Sequence, residues 1–178
     1  MVSQNLQGSN KARELAFRVL FSSEQGKHSI NQAWQEAKLD LQHALDDALD
    51  PETEEGMLEQ GPGQLDAAAL AFAHKLLLGF DDQRDEIDSR LEQVIEGWTF
   101  SQMSQTDLAI LRLAAFEISA FPTPSLVVVD VAVRLAKRYG GDDSGRFVNG
   151  VLSRYLDRYA QPKASERKRV KTKNTSTL

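Results

Sequence analysis

The chain has 178 residues, no cysteine and a formal net charge of −5, with 41% hydrophobic residues. That length supports one ordinary domain with a real core, while the lack of cysteine excludes disulfides, thiolate metal sites and thiol nucleophiles and fits a reducing cytosol. The acidic balance excludes a surface that is basic all over but leaves room for a local basic patch, and the modest apolar share points to polar tails or loops.

Residues 1–9 are polar and read as a mobile N-terminus. They lack the apolar core of a secretory signal, and no run of 18 apolar residues follows anywhere. A cytoplasmic protein without a membrane span is the expectation. Asn10 to Gln25 reads as the first helix, because Ala12, Leu15, Ala16, Val19 and Leu20 fall on one face. Phe17 and Phe21 lie between that stripe and a face carrying Lys11, Glu14 and Arg18. Such a pair serves either as peripheral core or, beside Lys11, Arg13 and Arg18, as a stacking platform for bases. Gly26-Lys27-His28 is a turn, and Ile30 to Leu49 a second helix. Residues 46–64, DDALDPETEEGMLEQGPGQ, are acidic and broken by Pro and Gly, so they read as a loop dividing two helical halves.

Leu65 to Leu78 returns to helix and should break at Gly79. Asp81 to Glu96 continues as a charged helix, and Gly97-Trp98-Thr99-Phe100 is a connector whose two aromatics are expected to plug the core. Ser104 to Ala120 is apolar on nearly every side, the mark of a central helix. Ser104 or Thr106 suits its cap and Asp107 its first turn. Arg112 interrupts the apolar surface and must reach a carboxylate or solvent. Leu126 to Tyr139 begins with the strand-like run LVVVDVAV. The flanking Pro124-Ser125, the basic Lys137-Arg138 and Gly140 nevertheless predict a helix. Gly140 is expected to close it in the left-handed conformation.

The last helix follows Asp142, Asp143 and Ser144, with Phe147, Val148, Val151, Leu152 and Tyr155 on its apolar face. Asn149-Gly150 interrupts it, either for close packing against a neighbour or because Arg146 and Asn149 face a partner. Residues 161–178 are basic, carry no apolar stripe and read as a disordered tail. Such a tail either aids solubility or holds RNA phosphates without reading sequence.

No catalytic constellation emerges. His28, His43 and His74 lack a second ligand at HxxxH spacing, and Gly61-Pro62-Gly63 lacks the lysine of a phosphate loop. The expectation is a binding module with no cofactor and no metal, not an enzyme.

DDSGRFVNGVL, preceded by VDVAVRLAKRYG and LAILRLAAFEI, resembles the C-terminal half of the NusB family of bacterial transcription antitermination factors, and residues 13–20 add a weaker match. The resemblance implies an all-α fold of roughly seven helices in two packed sub-bundles. It implies binding to boxA-type RNA of ribosomal transcripts, together with the small-subunit ribosomal protein NusE, other Nus factors and RNA polymerase, with no role for DNA. Aligned on the family, Lys11, Arg13, Arg146 and Phe147 face RNA beside the acidic loop residue Asp143, and Arg18 reinforces them. Asp107 and Phe21 fall at partner-facing positions, and an exposed Asp107 at a helix start would offer its charge to a basic protein. The family's further N-terminal arginines are replaced here by Ser9 and Asn10. Two other readings stay open: the NusB-like domain of a ribosomal-RNA-modifying enzyme, and a helical adaptor that has lost specific RNA binding.

Overall fold

The computed structural model describes residues 2–48 and 65–160, with side chains from 10–43 and 65–160. Among the described residues there are seven α-helices and no strand: α1 Val2–Gly26, α2 Ile30–Ala48, α3 Ala67–Asp82, α4 Arg84–Glu92, α5 Gln105–Ala120, α6 Ser125–Tyr139 and α7 Ser144–Tyr159. A 3-10 turn, Phe100–Gln102, lies between α4 and α5. The all-α expectation holds. The chain divides after Asp82 into two compact units, α1 to α3 and α4 to α7.

In the first unit α1 packs on α2 and α3. The predicted stripe of α1 is buried, with Ala12, Ala16 and Leu20 fully so. It meets Ile30, Ala33 and Trp34 of α2 and Ala69, Ala73, Leu76, Leu77 and Phe80 of α3 within one core. His74 stacks on Trp34 with ring centroids 4.8 Å apart. α1 runs back to Val2, so the helix includes most of the stretch expected to precede it. It ends at a turn in which Lys27, not glycine, takes the left-handed conformation (φ 52°), held by a Ser23 hydroxyl that donates to the His28 carbonyl at 2.6 Å. Asp66 starts α3 by accepting from the Ala69 backbone at 2.7 Å. Gly79 does not break α3. Burial of Leu76, Leu77 and Phe80 on either side of it outweighs the roughly 1 kcal/mol that a helical glycine costs. α2 extends to Ala48, into the predicted loop; the rest of that loop, 49–64, and the predicted tail, 161–178, lie outside the described residues.

In the second unit α5 is the central helix, as its all-round apolarity predicts, and α4, α6 and α7 pack on it. Arg112 reaches Asp88 by two hydrogen bonds, Nε to Oδ1 at 2.8 Å and Nη2 to Oδ2 at 2.7 Å, and lies over the Phe100 ring. Tyr155 is fully buried, its hydroxyl 2.9 Å from that of Ser119. The LVVVDVAV run is helical: Val128, Val129, Val131, Ala132, Leu135 and Ala136 form one buried face, and that burial overrides β-propensity. α4 is shorter than predicted, ending at Glu92, with Val94 and Ile95 buried in the turns beyond it. Phe100 is half-buried, but Trp98 is 56% exposed and does not plug the core.

Candidate nucleic-acid interface

The predicted site residues of the second unit converge where α6 ends and α7 begins. Lys137 and Arg138 stand exposed in the last turn of α6, and Arg138 lies over the ring of the partly exposed Tyr139. Gly140 then turns the chain, though not in the left-handed conformation: its backbone is extended (φ −95°, ψ −171°). Glycine is required here for space. A Cβ at Gly140 would fall 2.7 Å from the Ala136 carbonyl oxygen and would overlap the Ser144 side chain. Ser144 needs that room because it locks the turn. Its hydroxyl oxygen accepts from the Gly141 N–H at 2.9 Å and donates to Asp107 Oδ2 at 3.1 Å. The next residue, Gly145, is buried under the lysine stem, since a Cβ there would come within 2.7 Å of Lys137 Cγ. The stem of Lys137 thus crosses the first turn of α7 while the residue remains largely in solvent.

Beside this lock stand Asp143, the residue before α7, and Arg146 in its first turn, both almost fully exposed and 3.6 Å apart. Phe147 is half-buried and Asn149 exposed. α6 and α7 each carry three cations against one aspartate, in a chain of net charge −5. Of these cations Arg134 pairs with Asp130, and Arg154 and Arg158 reach back to Val94 and Gln93, which leaves Lys137, Arg138 and Arg146 at the turn, where phosphate would be attracted and the Phe147 ring follows next in the chain. Lys137, Arg138 and Tyr139 were not singled out from the sequence as site residues. Their signal was there, as a basic-aromatic triplet just before the glycine turn, but it reads equally well as an ordinary helix end.

In the first unit, Arg18 is exposed and Lys11 half-buried, so both remain available to solvent. Arg13 does not: it is 7% exposed, with its guanidinium 5.0 Å from the centre of the Phe72 ring. The reason is position, since Arg13 follows Ala12 on the edge of the buried stripe and α3 closes over it. Phe17 is buried and Phe21 half-buried, their ring centroids 6.1 Å apart. The pair is peripheral core at Phe17, and only Phe21 offers a surface.

Asp107 also departs from expectation. It is 7% exposed, not displayed at an exposed helix start. Its Oδ1 is buried without a hydrogen-bond partner, and burial pushes its carboxyl above the usual aspartate range, opposed by the Ser144 hydrogen bond. The sign of the pH effect follows. Between about pH 4 and the raised value, the folded protein keeps a proton that the unfolded chain has released. This group's contribution is therefore fullest below about pH 4 and is lost as pH rises through the folded pKa. Asp107→Asn keeps an acceptor for Ser144 and should flatten that decline. Thermal denaturation of both proteins between pH 4 and 7 checks it; parallel pH profiles would show that Asp107 titrates normally.

Gly150 resolves the question raised by Asn149-Gly150. A Cβ built there meets nothing within 4 Å, so the glycine serves no close packing. Gly150→Ala should raise stability by about 1 kcal/mol through helix propensity alone. A lower melting temperature would reveal a contact that this geometry lacks.

The fold has its counterpart in known proteins. The NusB family model matches residues 10–157. The chain belongs to the NusB family. Transcription antitermination protein NusB of Thermus thermophilus is 44% identical over 151 residues, covering 84% of this chain and 91% of that protein. Among solved structures, T. maritima NusB superposes with a TM-score of 0.65 at 28% identity, covering 86% and 93% of the two chains. A chain from the complex of antitermination factors NusB and NusE with dsRNA gives 0.66 at 22% identity, covering 86% and 98%, and shows the shared fold. The FVNG segment of this NusB-family chain is thus the start of α7, held by the Ser144 lock.

Proposed function

We propose that this NusB-family chain is a cytoplasmic, non-enzymatic transcription antitermination factor that binds boxA-like single-stranded RNA of ribosomal transcripts together with a NusE-type ribosomal protein. The observation that carries the RNA reading is the exposed Arg146 and half-buried Phe147 at the head of α7, flanked by Lys137 and Arg138. Cations there hold phosphates, and the phenyl face accepts an unpaired base. Lys11 and Arg18 of α1 supply further phosphate contacts, whereas Arg13 supports α1 from beneath. Asp143 tempers the charge of Arg146. The names of the relatives, and the NusB–NusE complex among the structures of this fold, support the partner.

The test is a titration of boxA-like and scrambled RNA, each with and without the ribosomal protein. Tighter binding to boxA-like RNA, tightened again by the ribosomal protein, is expected. Coupling is reciprocal, so RNA must strengthen the protein pair by the same factor. Equal binding of both RNAs, unaffected by the protein, would overturn the reading.

A further inference from the structure

Gly150 lies inside the 16-residue helix α7, where a glycine costs about 1 kcal/mol against alanine. The fold gains nothing from it, since a Cβ there meets nothing within 4 Å. Arg146, Gly150 and Ser153 are spaced i, i+4, i+7 and so form one line along the exposed side of the helix. At about 100° per residue, Phe147 falls on one flank of that line and Asn149 on the other. Ser153 does not stand up from the line, because its hydroxyl turns back to donate to the Asn149 carbonyl at 2.8 Å. Beyond Arg146 the ridge therefore drops to a notch at Gly150, where another molecule can approach the helix backbone closely.

The notch joins two parts of the basic site. Phe147 is on one side of it. On the other, α6 packs against α7 and the Lys137 stem crosses Gly145, which shares its flank with Asn149 four residues on. Asn149 is exposed, and among the described residues its side-chain amide makes no hydrogen bond. An amide offers a donor beside an acceptor, the pattern that pairs with the edge of a base. A strand with a base on Phe147 and a phosphate at Lys137 has to cross α7 between them. At Gly150 it does so without meeting a side chain.

We propose that a single RNA strand crosses α7 at Gly150 and that Asn149 reads the edge of one base there. The inference rests on the reading of this chain as a factor that binds boxA-like RNA, and it supplies the sequence discrimination which that reading needs. Lysine and arginine hold the phosphates of any RNA alike, and a phenyl face accepts any base. Asn149 is the group beside them that can tell one base from another.

The experiment titrates the full chain with boxA-like and scrambled RNA and records the melting temperature of every variant. Asn149→Ala should weaken boxA-like RNA by about tenfold, the discrimination carried by one edge contact, and leave scrambled RNA unchanged. Asn149→Gln, which keeps the amide, should recover part of the loss. Arg146→Ala, in contrast, should weaken both RNAs alike. Gly150→Ala should raise the melting temperature and yet weaken boxA-like RNA, and Gly150→Gln should weaken it further because its side chain fills more of the notch. A glycine with a merely structural role would not move the two readouts in opposite directions. Equal losses on both RNAs in Asn149→Ala would overturn the proposal by making Asn149 a backbone contact. Full RNA affinity in both Gly150 variants would overturn it as well, since the strand would then pass elsewhere. Either result leaves the antitermination reading standing. If the wild-type chain binds both RNAs equally, with and without the ribosomal protein, that reading falls and the proposal falls with it.

Discussion

Gly140→Ala should destabilise the second unit by about 1–3 kcal/mol, the usual range for forcing atoms into a packed site. The added methyl has nowhere to go. One neighbour is the Ala136 backbone carbonyl, 2.7 Å away, which belongs to the last turn of α6 and accepts from the Gly140 N–H at 2.9 Å. The other is Ser144, whose hydroxyl ties the turn to Asp107. Relief requires either breaking that hydrogen bond or moving the end of α6. In both cases the first turn of α7 shifts, so RNA affinity should fall along with stability. Chemical denaturation and RNA titration of the same variant measure the two effects. A variant as stable as wild type would mean that the turn yields without strain, and the Ser144 lock would lose its significance.

Phe147→Ala should lower affinity for boxA-like RNA by about 1–3 kcal/mol, the range for removing one base-stacking aromatic. Its effect on stability should be smaller than the roughly 3–5 kcal/mol of a fully buried phenylalanine, because Phe147 is half-buried while Val148, Val151 and Leu152 fill the core beneath α7. Melting temperature and RNA affinity, taken on one preparation, separate the two roles. Unchanged affinity in a folded variant would remove Phe147 from the interface. A core-sized loss of stability would place it among the packing residues.

Much of this was legible in the sequence because it depends on local periodicity. The buried stripe of α1, the all-round apolarity of α5 and the caps and stops around α6 are encoded within a few turns of chain, and each helix forms where that pattern puts it. Arg112 was likewise legible as a charge in need of a carboxylate, though not that the carboxylate would be Asp88. The FVNG run identified the family and the head of α7, since its residue order is specific in itself.

Only the tertiary structure decided which polar residues face water. Arg13 and Asp107 were expected at the surface as charged residues that face partners, yet α3 covers the first and the α6–α7 turn covers the second. Trp98 goes the other way, held outside by a connector whose hydrogen bonds leave its indole without a slot in the core. Gly79, Gly140 and Gly150 show the same limit. A glycine in the sequence signals freedom of the backbone, but burial on both sides kept α3 continuous through the first. Crowding by Ser144 and Ala136 gave the second its purpose, and open space left the third without a packing role. Periodicity is a property of neighbours along the chain; cover, crowding and open space depend on which distant segments arrive, and no local pattern records that.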